Sequence, residues 1–339
     1  MARAMTLRRL LDALPEPALI VGEGRIKTAN EAARGVFGAE IEGADVRTTI
    51  RHPAAVERLL GGSPDAADEV ELAGVGEPGR RWTMGVAPIE DGTLFVRLVD
   101  RSEAHAAEKM RVDFVANASH ELRTPLATLV GYAETLREQS GEIDEPTRER
   151  FTAIVHEEAK RMQRLVEDLI SLSRIEAERF STPTDPLCLA ELVAEARESW
   201  RSAAAERGSE IRIEAEPQLP AVTGDRNEVL QLVDNLLGNA LRYGRAGTEV
   251  RVRMQREDGM VRLTVSDQGE GIAPEHIPRI TERFYRVDAS RSRALGGTGL
   301  GLAIVKHIVE RHRGRLKIES VVGRGTDAHV LLPVAGTGG

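Results

Sequence analysis

FVANASHELRTPLATLVGYAETL, residues 114–136, places Val115, Ala118, Leu122, Leu126, Leu129, Ala133 and Leu136 at spacings of three and four. That period draws one apolar stripe along a helix. His120 stands two positions from both Ala118 and Leu122, about 200° around the helix from the stripe, and so faces solvent. Beside it, Glu121 can accept a proton from the imidazole, leaving a ring lone pair free to attack phosphorus. Pro125 has no N–H to offer the carbonyl of Glu121, which predicts a bend in the helix close to the histidine. The step of four from Leu122 to Leu126, in place of a strict heptad, agrees with a local irregularity.

Working outward, residues 101–180 are rich in Glu, Arg and Ala, and the polar run SGEIDEP at 140–146 interrupts them as a turn. Beyond it Phe151, Val155, Met162, Leu165, Leu169 and Leu172 draw a second stripe. Two striped helices cannot dry both faces alone, so a homodimeric four-helix bundle is expected. The charged run RSEAHAAEKMRVDF at 101–114 is the expected route by which a signal reaches the hairpin. Upstream, ALIVGEG, GRIKTAN, DEVELAG, RWTMGVAPIE and TLFVRLVD read as short strands and NEAARGVFG as a helix, making one small sheet-based domain. This order, with Asn30 in TANEAARGVFG, resembles a PAS sensory domain. His52 is read as a helix-start polar residue, and this segment holds no cysteine for a flavin photosensor. From about 187 to 333, EIRIEAE, TEVRVRM and MVRLTVSD alternate with period two and DRNEVLQLVDNLLGNALRYG is amphipathic, the pattern of an α/β domain with helices on one sheet face.

On the helix beginning near Asp225, which pairs with Glu228 as a cap, Asn235, Asn239 and Arg242 share one face. Leu232, Leu236, Leu237 and Ala240 take the other. Asn is costly inside a helix unless its amide is engaged, and Mg²⁺ with phosphate oxygens is a suitable partner; a solvated polar face is the alternative for this helix taken alone. Asp267 ends a strand and can accept from an exocyclic amine, while the glycines of the following QGEGI let the backbone approach a flat ligand. GGTGLGLAIVKHIVERH sets Gly296, Gly297, Gly299 and Gly301 at the start of an amphipathic helix, whose unpaired N–H groups suit an anion. The run lacks GK[ST], so it is not a Walker loop.

The run from Ser119 to Pro125 resembles the phosphoacceptor box of sensor histidine kinases. DNLLGNALRYG, DQGEGI, ERFYRVD and GGTGLGL, in that order, look like the ATP-site boxes of their catalytic domain, a fold shared with gyrase and mismatch-repair ATPases. The resemblance covers about 105–333. It implies that His120 is phosphorylated, with Glu121 as its general base and Thr124 orienting water when the partner is dephosphorylated. Asn239 would bind Mg²⁺, Asn235 and Arg242 would approach the phosphates of ATP, Tyr243 would pack by the base and Asp267 would read the adenine amine. Gly269 and Gly271 would permit close approach, and Gly297, Thr298, Gly299, Leu300 and Gly301 would form the phosphate cradle. VDASRSRALG at 287–296 would be a lid over ATP. After GRGT, where relatives place a strand aromatic, this chain has DAHV. A PAS-like domain directly before the phosphoacceptor helix resembles the phosphate-regulon type of sensor.

At 339 residues two or three domains are expected: a PAS-like sensory domain at 1–100, a dimerisation and phosphotransfer hairpin at 101–180, and an ATP-binding domain at 187–335. The fold class is multidomain α+β. With 41% hydrophobic and 29% charged residues the chain is globular, and a net charge of −8 argues against a nucleic-acid backbone as ligand. Cys188, the single cysteine, fits a reducing cytosol and reads as a small buried filler. No run reaches the roughly 18 apolar residues of a membrane span, so this chain is expected to be cytoplasmic, an upstream anchor being left open. The expected partners are a second copy and a response regulator. Two other readings are a non-catalytic ATP-binding scaffold, against which His120, Glu121, Asn239 and Asp267 count, and a gyrase-like ATPase acting on nucleic acid, which the charge disfavours.

Overall fold

The computed structural model describes residues 8–61, 69–89, 92–138, 143–178, 180–288 and 296–336. It forms two compact units, Met1–Val115 and Ala116–Gly339. Residues 289–295 of the expected lid at 287–296, the heart of the 140–146 turn and the last residues of the tail lie outside the described residues.

In the first unit, strands β1 (Ala18–Gly22), β2 (Arg25–Ala29), β3 (Val70–Ala73), β4 (Arg81–Pro88) and β5 (Thr93–Asp100) form an antiparallel sheet of order β2-β1-β5-β4-β3. Helices α1 (Glu31–Phe37), α2 (Val46–Thr49) and α3 (Pro53–Leu60) lie between β2 and β3 in the chain. Leu19, Ile26, Leu72, Met84 and Leu98 fill the core. Asn30 is the N-cap of α1, accepting from the Ala33 N–H at 2.9 Å, and is 1% exposed. Its Oδ1 also accepts from Ala18 N–H, and its Nδ2 donates to the carbonyls of Leu11, Leu14 and Glu16. The asparagine thus ties the segment before the sheet to β1 and α1. His52 is the N-cap residue of α3, followed by Pro53 at the first helical position, the place a missing N–H costs least.

Helix α4 (Ser102–Glu138) continues through Pro125, and α5 (Glu145–Ala177) is capped by Asp144, which accepts from Thr147 N–H at 3.3 Å. The hairpin is closed near its turn by the Tyr132 and Phe151 rings, 4.9 Å apart. Leu165 and Leu172 are buried, yet Leu126 is 50%, Val130 47% and Ile170 65% exposed.

The rest of the second unit is a mixed sheet of order β11-β12-β10-β9-β7, comprising β7 (Glu210–Ala215), β9 (Glu249–Glu257), β10 (Met260–Asp267), β11 (Arg315–Val321) and β12 (Gly325–Pro333). Only β7 and β9 pair in parallel. Alternation buries Val250, Val252 and Met254 on β9, and Val261, Leu263 and Val265 on β10. Helices α6 (Leu189–Glu206), α7 (Arg226–Tyr243) and α8 (Gly301–Arg311) cover that apolar face. A two-stranded piece pairs β6 (Pro186–Leu187) with β8 (Val222–Thr223). Strand β11 is not among the sequence-based expectations, whereas β12 carries the DAHV segment at which relatives place a strand aromatic.

Two expectations are corrected. Cys188 is exposed, because it is the N-cap residue of α6 and the helix turns Leu189 inward in its place. Asp225 does cap α7, accepting from Asn227 and Glu228 N–H groups, but Glu228 does not complete a reciprocal pair. It is buried against Arg311, which also meets Glu178 and the carbonyls of Glu178 and Ser181 just beyond α5. A buried cation recruits the carboxylate more strongly than an exposed helix end does. Among the described residues, no helix is long and apolar enough to cross a membrane.

Candidate functional site

A cleft of about 430 Å³ opens between α7, the end of β10, the segment around Arg286 and the start of α8. Helix α7 turns Leu232, Val233, Leu236, Leu237 and Leu241 into the core, so its opposite face, carrying Asn235, Asn239, Arg242 and Tyr243, lines the cleft. Asn239 Oδ1 has a long 3.4 Å bond from Arg242 Nη1. Asn235 lies against the first turn of α8, since a Cβ on Gly301 would come within 2.8 Å of its Oδ1. Burial pulls the Arg242 guanidinium below its ordinary range, with Arg164 adding and Tyr243 and Asp168 opposing.

Asp267 is half-buried where β10 enters the cleft, and its Oδ1 accepts from Gly269 N–H at 2.7 Å. Burial pushes this carboxyl up, while the backbone N–H groups of Gly269 and Thr326 pull the other way. Gly271 has φ +71°, and a Cβ there would fall 2.2 Å from the Val321 carbonyl oxygen, so the turn admits no side chain. Of the residues expected to bind, Asn235, Asn239, Arg242, Tyr243, Asp267, Gly271, Gly297, Thr298, Gly299 and Gly301 line the cleft, whereas Gly269 and Leu300 stand behind it. Leu300 is fully buried and is the N-cap residue of α8, with no side-chain cap, which leaves early N–H groups of that helix for an anion. Phe284 takes φ +63°, strained for a non-glycine residue, and its N–H bonds the Gly299 carbonyl at 2.8 Å.

His120 is exposed on α4, and Thr124 Oγ1 donates back to the His120 carbonyl at 3.4 Å. The Glu121 carboxylate is engaged away from the histidine. It accepts from Arg286 Nη2 at 2.9 Å and stands 3.5 Å from Arg161 Nη2; among the described residues no ion pair joins it to His120. Arg286 also donates to the Thr298 carbonyl at 2.9 Å, so one guanidinium spans the neighbour of the histidine and the glycine run.

That the hairpin helps to build the cleft was not legible in the sequence. Arg164, Glu167 and Asp168 of α5 line it, with Thr298 Oγ1 donating to Asp168 Oδ2 at 2.7 Å. Trp200 of α6 lines it too, and its indole N–H bonds Asp234 at 3.1 Å. A Cβ on Gly238 would lie 2.9 Å from that ring, so this helical glycine is a packing necessity. Only the unusual pairing of a glycine with a tryptophan far along the chain could have hinted at this.

Comparison with known proteins gives a consistent family. Residues 224–336 match the histidine kinase-, DNA gyrase B- and HSP90-like ATPases, residues 110–178 the His Kinase A phospho-acceptor domain, and residues 5–70 the PAS domain. The chain is 35% identical over 311 residues to the phosphate regulon sensor protein PhoR of Pseudomonas aeruginosa, covering 91% of this chain and 69% of that protein. It is 36% identical over 241 residues to the sensor protein SrrB of Staphylococcus aureus, covering 71% of this chain and 41% of that one. In fold it is similar to the histidine kinase ThkA, solved in complex with the response regulator protein TrrA, with a TM-score of 0.53 and 18% identity over 96% of this chain and 97% of that one.

Proposed function

The chain belongs to the sensor histidine kinases, the ATP-dependent protein-histidine kinases of two-component signalling, and we therefore propose that it phosphorylates its own His120 and passes the phosphoryl group to an aspartate of a response regulator. What carries this reading is Arg286, which links Glu121, the neighbour of the exposed His120, to Thr298 in the glycine run of the cleft. A phosphoryl donor in the cleft is therefore one side chain away from the acceptor helix.

ATP binds with its adenine toward Asp267, whose carboxylate accepts from the exocyclic amine, and with Tyr243 beside the ring. Its phosphates run past Asn235 and Arg242 to the glycine run. A ring nitrogen of His120 attacks the γ-phosphorus, the bond from phosphorus to the bridging oxygen breaks, and ADP leaves. The proton on the other ring nitrogen goes to Glu121 after its carboxylate leaves Arg286 and Arg161. Positioning and charge stabilisation supply most of such a rate. Mg²⁺ fits the donors present: the Asn239 amide oxygen has only a long bond, and among the described residues no cluster of three His, Cys, Asp or Glu side chains offers an all-protein cage. Asn239 and the phosphates would hold the ion, which neutralises charge on the transferring group.

The exposed Leu126, Val130 and Ile170 support a four-helix bundle with a second copy. Thr124, one turn beyond His120, suits orientation of water in dephosphorylation of the response regulator. The likeness to PhoR across both units supports phosphate supply as the signal. The test is autophosphorylation with γ-labelled Mg-ATP. The expected label is acid-labile and base-stable, and is lost in His120→Gln and in Asn239→Ala; equal labelling of His120→Gln refutes the proposal.

A further inference from the structure

Asp168 belongs to the phosphotransfer hairpin, yet its carboxylate lines the nucleotide cleft. It accepts from Thr298 Oγ1 at 2.7 Å, and that same hydroxyl accepts from Leu300 N–H at 3.3 Å. The carboxylate therefore bonds directly to the side chain at the centre of the phosphate cradle. Two cations act on it, Arg242 from α7 and Arg164 from its own helix, one turn earlier. Arg164 itself reaches the cradle, where a Cβ on Gly296 would lie 3.0 Å from its guanidinium. Among the described residues, the one other acid acting on Asp168 is its neighbour Glu167. An oxygen anion bonded to a hydroxyl at a helix start, in a cleft that two guanidinium-bearing residues also line, has the surroundings of a bound phosphate oxygen. Burial also pushes the Asp168 carboxyl above its ordinary range, so its charge is held there at a cost.

We propose that Asp168 is an internal stand-in for phosphate: with the hairpin docked as it is here, its carboxylate occupies the polyphosphate end of the cleft and lowers the affinity for nucleotide triphosphate. The inference rests on reading the cleft as the ATP site. ATP enters by displacing Asp168 from Thr298, and a hairpin that has shifted in response to a signal no longer competes. Nucleotide affinity thereby reads the position of the hairpin, and by reciprocity bound triphosphate loosens its docking. Arg164 and Arg242, which line the same end of the cleft and feel the carboxylate's charge, then face the phosphates in its place.

A charge effect at the phosphate end must discriminate between ligands with and without phosphates. The intact chain is titrated with the imido analogue of ATP and, separately, with adenosine, both with Mg²⁺, by calorimetry. Asp168→Asn and Asp168→Ala are each expected to bind the triphosphate analogue about tenfold more tightly than wild type, with adenosine affinity within about twofold. The proposal is overturned if both variants bind the analogue like wild type, or if adenosine gains equally, which is a general opening of the cleft. Weaker analogue binding by Asp168→Ala with Asp168→Asn unchanged makes Asp168 a support for Thr298 and likewise overturns it. If wild type and variants all fail to take the analogue, the nucleotide reading itself falls, an outcome distinct from variants that bind like wild type.

Discussion

Asparagines stand at decisive places in both units, and the two regions use them in opposite ways. In the N-terminal unit Asn30 is 1% exposed and its amide is spent, accepting from two backbone N–H groups and donating to three carbonyls. On α7, Asn239 faces a cleft with one long bond to its oxygen, and Asn235 lies against the start of α8. A polar side chain with all its capacity used inside the protein contributes stability. One that keeps capacity in a concave site, where Asn also costs helix propensity, can still engage a ligand.

The sharpest way to break this contrast is Asn239→Ala. The autophosphorylation rate is expected to fall about 100-fold or more, the scale for loss of a preorganised polar group, while the thermal unfolding midpoint of the second unit stays put. A parallel loss of stability would place Asn239 with Asn30. The converse variant, Asn30→Ala, strands several buried backbone groups and is expected to cost about 2–4 kcal/mol in denaturant unfolding of the first unit, with ATP affinity unchanged. Gly238→Ala probes packing beside the functional face. The added methyl meets the Trp200 ring, so a loss of about 1–3 kcal/mol is expected, visible in the indole fluorescence as well as in unfolding.

The smallest effect sharpens the contrast through pH. Burial holds the Asp234 carboxyl above its unfolded value, with the Trp200 N–H opposing and Glu195 adding. The native state thus binds this proton more readily, and stability falls as pH rises from the unfolded carboxylate range, about 4, through the raised native value. Asp234→Asn keeps an acceptor for Trp200 without the charge. It is expected to melt slightly higher than wild type at pH 7, with the difference vanishing below about pH 4; a constant difference across that range would mean that the charge is not the cause.

Much was legible because it is local. The stripes of α4 and α5 follow from a period of 3.6, the strands β7, β9 and β10 from a period of two, and the cap of α7 from Asp225 just ahead of its apolar run. Asn235, Asn239 and Arg242 share a face by arithmetic, and all three reach the cleft. Cys188 misled because its burial depends on which way α6 leaves the β6 strand, a matter of one residue. Glu228 misled because its partner Arg311 is 83 positions away.

The hairpin helices, three strands of the larger sheet, the exposed His120 and the polar face of α7 could be read along the chain, since each depends on near neighbours or on helix and strand periodicity. What those groups hold now follows from contacts made in space. Arg286 grips Glu121 across 165 positions and Thr298 grips Asp168 across 130. Such pairings carry no period and no motif; they exist because the hairpin and the ATPase fold pack as one unit, where buried charges must find partners in space, however far away those lie along the chain.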